Sequence, residues 1–360
     1  METPRFTVCR ARFLLPLAAP DRTRRVADGY VLAEGDRLRE VGPYTPETGR
    51  RLLATYGAAL RVLGPATAAE PIPCLDGVLL PAFVKAHGHD PDQRLLVIVI
   101  AKDEPLTAWL DHAVNPFSAF MNEQQERLTE LLGCSPQLAT YRLARVCDIH
   151  YGITACLVHH CNHNKGRFRE IAQANEAAGT TMIAALGSQD RYYDARILDR
   201  PEQALARLDA AAALPGLTRT RFCPGPDQFF SNSRELLVPL KQWAREHGTL
   251  FHTHSSEEPK TTRWFQEAIE PGFTEVQWAQ SLGLLDEQTI LAHQVNCGPQ
   301  DVAILAATGA RVVHNPLANT ILGSGMPPVI EMLAAGVPVA ISTDGSGSAD
   351  NQNILLAEVA

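Results

Sequence analysis

The chain has 360 residues, 45% of them hydrophobic and 20% charged, enough to bury a sizeable core as one large or two smaller domains. Its formal net charge is −8, and its one basic cluster, Arg22 to Arg25, is short and soon diluted by acidic residues, which speaks against nucleic-acid binding. No apolar run reaches the length of a membrane span, and eight cysteines without a C-x-x-C pair read as reduced thiols in a cytoplasmic compartment.

Arg12 precedes "FLLPLAAP", a faint imitation of a secretory signal, but the run is short, broken by Pro16 and followed by strand-like sequence, so it reads as a strand. Residues 1–75 are β-rich and turn-rich, with Gly35 and Asp36 suited to a hairpin turn, and are expected to form a small β-sandwich portion. From 76 to 360 short apolar runs alternate with amphipathic stretches. The runs are "GVLLPAFVKAHGHD", "GITACLVHHC", "TTMIAALGS", "TRFCPGPD", "TLFHTHSSEE", "TILAHQVN", "ARVVHNP" and "VPVAISTDG". Between them lie helical candidates such as "FREIAQANEAAG" and "PQDVAILAATG", several closed by a capping glycine. Eight such β-α units imply an α/β fold, a (β/α)8 TIM-like barrel. An open doubly wound sheet is weaker, because no glycine-rich phosphate loop follows the first strand.

A barrel of this kind gathers its chemistry at the C-terminal strand ends. His87 and His89 end the first run, His254 and Glu257 the fifth, His293 the sixth, His314 the seventh and Asp344 the eighth. In a strand, residues i and i+2 face the same way, so the imidazoles of "HGH" would project together. An isolated His-x-His is more often a solvated pair than a metal site, and it is the repetition at strand ends that favours ligands. His87, His89, His254 and Asp344 form a set suited to one divalent ion such as zinc, which lowers the pKa of bound water. Glu257, three residues beyond His254, is the chosen proton shuttle, with adjacent Glu258 as the alternative. "TRFCPGPD" offers no lysine or glutamate to bridge two metals.

"LPAFVKAHGHD", "HTHSSEE", "LAHQV", "VVHNPLAN" with "LGSGMPP", and "STDGSGSADN" together resemble the ordered motifs of the amidohydrolase superfamily. Within it they are similar to the mononuclear deaminase and chlorohydrolase branch, which includes guanine deaminase, adenosylhomocysteine and methylthioadenosine deaminases, and triazine hydrolases. The resemblance covers nearly the whole chain. It implies one zinc or iron ion surrounded by His87, His89, His254 and Asp344, with Glu257 and Asp344 moving protons and His293 holding substrate or polarising the site. The implied reaction is hydrolytic deamination of a nitrogen heterocycle (a purine, pterin, pyrimidine or triazine), with hydroxide attacking a ring carbon and ammonia leaving. Alternatives are another leaving group (chloride, alkylamine or ring amide) or an inactive truncated binding or scaffold protein.

The substrate shell departs from the pattern. Lys102 in "AKDEPLTAWL" stands where nucleoside-type relatives carry a glutamate, and Gly225 or Pro226 where they carry a fourth-strand histidine. Free heterocycles with oxo or acidic substituents are therefore expected in preference to adenosine-like nucleosides. Gln93 is similar to the glutamine that reads the ring edge in purine and triazine members, one residue further from His89 than usual. "CLVHHCNHNK" packs Cys156, His159, His160, Cys161 and His163 into one strand end, where alternation lets at most some converge; substrate contact by one histidine, or equally plain loop packing, is favoured over a second zinc site. Relatives continue beyond the eighth strand into strands that complete the sandwich, so this part is expected to be missing. The unpaired edges would then invite association, and a homo-oligomer, dimer or tetramer, is expected.

Overall fold

The computed structural model describes residues 5–17, 24–91, 108, 110–160 and 165–359. The chain divides into two compact units, 1–82 and 83–360.

The first unit is one mixed sheet. Strands β1 (Phe6–Leu14), β2 (Val26–Glu34) and β3 (Arg37–Pro43) pair antiparallel, while β4 (Leu60–Val62) and β5 (Cys74–Leu79) both run parallel to β1. Glu34 pairs with Arg37 across the expected Gly35–Asp36 turn, where Gly35 takes the left-handed φ of 58°. A helix over Pro46–Tyr56 was hidden in turn-like sequence. Thr45 caps it by accepting the Thr48 N–H, Pro46 opens it, and Gly57 ends it with a positive φ. Its Leu52 packs with Val8, Tyr30, Leu32 and Ile72 in the unit's core. A Cβ at Gly49 would stand 2.0 Å from the Tyr44 hydroxyl, so a side chain there would displace the Tyr44 ring. Among the described residues this unit is one five-stranded sheet with a helix, and its last strand, β5, runs to Leu79.

Among its described residues the second unit holds eight parallel strands in chain order: β6 (Phe83–Lys85), β7 (Ile153–His160), β8 (Thr181–Ser188), β9 (Thr220–Pro226), β10 (Phe251–Ser255), β11 (Thr289–His293), β12 (Arg311–His314) and β13 (Val339–Ile341). They form two four-stranded sheets, β6-β7-β8-β9 and β10-β11-β12-β13. A parallel bridge between Gln228 and His254 joins the end of β9 to β10. Ser342 just past β13 receives the His87 N–H on its Oγ at 3.1 Å and donates to the His87 carbonyl at 2.6 Å.

Period-two alternation sorts the strand side chains. Val158, Met182, Ala184, Leu186 and Phe222 join the core shared with the helices, including Leu138, Ile171, Leu208 and Leu237. Leu157, Ala185, Cys223, Ile290 and Val313, one each from five strands, form a separate buried layer on the other face. Gly225 is required where β8 and β9 meet, since a Cβ there would lie 2.8 Å from the Ala185 backbone. The expected helices appear, as at Phe168–Ala178 and Pro299–Thr308, each stopped by a left-handed glycine, Gly179 and Gly309.

One expected strand is corrected. "GVLLPAFVKAHGHD" is not continuous: β5 ends at Leu79 and β6 starts at Phe83, with Pro81, which has no N–H to donate, between them. His87 and His89 thus follow β6 in a loop, and strand alternation is not what brings their rings together.

Candidate metal centre

The loop after β6 is held by buried charge. Asp90, next to His89, accepts from Arg145 at 2.5 Å; Arg145 also reaches Asp148 at 2.8 Å, and Lys85 donates to Asp148 at 2.9 Å. Lys85 also donates to Gln352 at 2.7 Å, and the Gln352 amide reaches the Asp344 carbonyl at 3.3 Å. The segment bearing the two histidines and the one bearing Asp344 therefore share one buried network, because each unpaired charge would be costly there.

On β10, His252 and His254 lie two apart and face the same side, both buried. His293 is the last residue of β11, and Asp344 follows β13. Both have left-handed backbones, φ 76° and 61°, as does Gln294 at 52°. Strained backbone of this kind clusters at functional strand ends.

The functional atoms converge. His87 Nε2 lies 3.1 Å and His89 Nε2 3.4 Å from Asp344 Oδ1, while His89 Nε2 and His254 Nε2 are 3.1 Å apart. His293 Nε2 is 3.6 Å from Glu257 Oε1 and 3.7 Å from Asp344 Oδ2. His254 Nδ1 bonds the Asp227 carbonyl at 2.6 Å and His293 Nδ1 the Asn319 side-chain oxygen at 2.8 Å, which turns each Nε2 inward as an acceptor. His87 Nε2 is buried with no hydrogen bond. A lone pair facing a carboxylate oxygen at that range needs a positive charge between them, so the donor set fits a divalent cation.

Burial, reinforced by neighbouring imidazoles, pushes His87 well below its ordinary pKa; burial likewise lowers His89 against the pull of Asp344. Burial alone would raise Asp344, but His293, His89 and His254 outweigh it and hold the carboxyl below its usual range. Glu257 goes the other way: burial pushes it up to about 8, opposed by His254 and aided by Asp344 and Asp227. Its Oε2 accepts a 3.3 Å bond from Gln228. Glu258, by contrast, caps the next helix, accepting from the Lys260 and Thr261 N–H groups.

All the expected residues that are described, His87, His89, His254, Glu257, His293 and Asp344, come together. His314 is buried at the end of β12 but belongs to none of the close ligand groups. Gln93, Lys102, Cys161 and His163 lie outside the described residues. His159 and His160 face opposite ways, as alternation requires. His160 meets Tyr141 at 2.8 Å, while His159 turns toward the site, its ring 4.5 Å from that of His254.

Asp227, His252, Asn319 and Arg145 also join the site, without a role assigned to them by any motif. Asp227 follows β9, buried, with its carboxylate 3.4 Å from His159 Nε2 and bonded by the Tyr193 hydroxyl. The strand-end rule could have singled it out. His159, Asp227 and His254 also form a close ligand group, but they share His254, whose Nδ1 already bonds a carbonyl. Beyond the centre, a cavity of about 560 Å³ is lined by Leu110, Asp111, Tyr192, Tyr193, Arg196 and Phe230. No helix among the described residues is long and apolar enough to cross a membrane.

Over 279 residues the chain is 31% identical to the 5-methylthioadenosine/S-adenosylhomocysteine deaminase of Desulfovibrio desulfuricans, spanning 77% of this chain and 58% of that protein. It is 25% identical over 328 residues to the 5'-deoxyadenosine deaminase of Methanocaldococcus jannaschii, 90% of this chain and 68% of that one. Among solved structures, the atrazine chlorohydrolase of Arthrobacter aurescens complexed with zinc matches with a TM-score of 0.77 at 19% identity, over 97% of this chain and 74% of the other. Guanine deaminase from C. acetobutylicum, with guanine in its active site, matches with a TM-score of 0.78 at 17% identity, over 97% and 76%. At such identities the structural likeness is one of fold. The amidohydrolase family profile matches residues 78–358, and with the strand-end donors in place the chain belongs to the amidohydrolase family.

Proposed function

We propose that this protein is a metal-dependent hydrolytic deaminase of a nitrogen heterocycle. The observation that carries this is the meeting of three imidazole nitrogens and one carboxylate oxygen, His87, His89, His254 and Asp344, beside a buried acid, Glu257. We read the eight parallel strands as a closed (β/α)8 barrel, supported by the Gln228–His254 bridge and the Ser342–His87 bonds at the two seams. The four residues are assigned as ligands of one ion, zinc in preference to iron. A divalent ion there lowers the pKa of water, making a nucleophile available near neutral pH.

The chain's own residues then divide the proton work. Asp344, an ionised acceptor, takes the proton that water loses on adding to the ring carbon. His293, with Nδ1–H committed to Asn319, presents Nε2 to a substrate N–H. Glu257, whose pKa burial raises to about 8, is the group that donates to the departing nitrogen as the carbon–nitrogen bond breaks and then recovers a proton by way of Asp344. Water supplies oxygen to the ring carbon and its two hydrogens to the products, giving the oxo heterocycle and ammonia.

The names of the curated relatives point to adenosine-type amines, while Lys102 argues from sequence alone for free heterocycles with oxo or acidic groups. Chloride, alkylamine or ring amide as leaving group is the second reading, because the same donor set and buried acid would serve it equally. A cytoplasmic homo-oligomer is the assembly we infer. Ammonia release from metal-loaded protein, screened across purines, adenosine-type nucleosides, pterins, pyrimidines and triazines, tests the proposal. Release from one class supports deamination, and chloride or alkylamine in its place supports the second reading.

A further inference from the structure

His252 lies one alternation step behind His254 on β10, buried and away from the converging donor atoms. Its Nδ1 is 3.0 Å from the Ile290 carbonyl on the neighbouring strand β11, and its Nε2 is 2.8 Å from His87 Nδ1. The ring is surrounded by the imidazoles of His87, His159 and His254. We propose that His252 is a positioning residue that fixes the tautomer of His87 by a two-step relay: Ile290 carbonyl, His252, His87.

The direction of the relay follows from donors and acceptors. A carbonyl only accepts, so His252 Nδ1 carries the hydrogen. With its one hydrogen on Nδ1, the imidazole of His252 offers Nε2 as an acceptor, and His87 Nδ1, 2.8 Å away, donates to it. His87 Nε2 is then left with a lone pair, aimed toward Asp344. Metal-ligating histidines usually donate their second N–H directly to a carbonyl or carboxylate. His254 does so here, to Asp227, whereas His87 reaches its carbonyl only through another ring. Without the acceptor, His87 could equally place its hydrogen on Nε2, where it would bond Asp344 and block a cation.

The inference rests on reading His87 as a ligand, and the experiment separates the two. Zinc dissociation constants are measured by chelator competition for wild type, His252→Leu and His252→Gln, the glutamine oxygen replacing the Nε2 acceptor. We expect His252→Leu to bind about 10- to 100-fold more weakly and His252→Gln to recover most of the loss. Zinc binding to His252→Leu as tight as to wild type, or a glutamine variant as weak as the leucine one, overturns the relay. No zinc binding by wild type overturns the ligand reading instead. Should His252→Leu fail to fold, long-range proton–nitrogen spectra of histidine-labelled, zinc-loaded wild type decide: hydrogen on His87 Nδ1 supports the relay, and hydrogen on Nε2 refutes it.

Discussion

Replacing Arg145 with methionine should destabilise the protein more than most single substitutions, and the size follows from its surroundings. Arg145 is 1% exposed, Asp90 2%, Asp148 fully buried and Lys85 1%. The guanidinium touches Asp90 at 2.5 Å and Asp148 at 2.8 Å, while Lys85 lies 2.9 Å from Asp148 and 4.0 Å from Asp90. Two cations thus balance two carboxylates, and Arg145→Met leaves one buried carboxylate in excess. Breaking a buried pair in this way costs about 3–5 kcal/mol, far above the median for a surface pair. At roughly 2–4 °C per kcal/mol for a unit of this size, Tm by calorimetry should fall by about 6–20 °C. Adding Asp90→Asn removes the excess charge, so the double variant should regain part of the loss, and a double-mutant cycle should show a coupling of about 1 kcal/mol or more. A Tm within about 2 °C of wild type, or an Asp90→Asn that only deepens the loss, would refute the charge-balance argument.

Glu257→Gln keeps shape but loses the proton and should lower kcat by about 10²- to 10⁴-fold with metal content unchanged. In wild type, the activity that requires protonated Glu257 should fall as pH rises through about 8, and the variant should lack that limb. Loss of turnover in Glu258→Gln instead would show that the shuttle is its neighbour. Buried Glu275, which accepts the Ser256 N–H, is pushed up to about 7 by burial despite that bond. A raised carboxyl pKa gives stability present below about 4.5 and lost as pH rises through about 7. The Tm advantage of Glu275→Gln over wild type should therefore grow between pH 5 and 8; a constant difference would contradict it. Chelation should lower Tm, by the equivalent of about 3 kcal/mol for metal held at 100 times its dissociation constant, whereas a chelator-insensitive Tm would count against a bound ion.

Strand order and donor residues were legible because each has a one-dimensional signature. Apolar runs of strand length marked β7 to β13, and the residues singled out for chemistry, His87 and His89, His254 and Glu257, His293, His314 and Asp344, closed five of the eight runs. What escaped was set by partners distant in sequence. In "TPETGRRLLATY" the threonine cap and the first-turn proline are local helix signals, but Gly49 within the stretch weakens them, and it is the packing of Leu52 on Val8 and Leu32 that fixes the helix. Pro81 was the local signal that β5 and β6 are separate, overridden in the reading by the apolar run around it. Arg145 lies 55 residues from Asp90, and Asn319 26 from His293; only the fold pairs them. Residues that orient other residues have no spacing rule, as with Asn319 and Arg145, whereas Asp227 stood at a strand end and His252 two residues before His254, where a positional signal existed.

The central claim, hydrolytic release of ammonia at the site of His87, His89, His254 and Asp344, is tested most directly by turnover in oxygen-18 water with product and ammonia counted together. Protein carrying about one divalent ion per chain should release about one ammonia and incorporate about one labelled oxygen per product, with both lost in Asp344→Ala. Turnover that persists in Asp344→Ala, or product formed without ammonia or without the label, would contradict it.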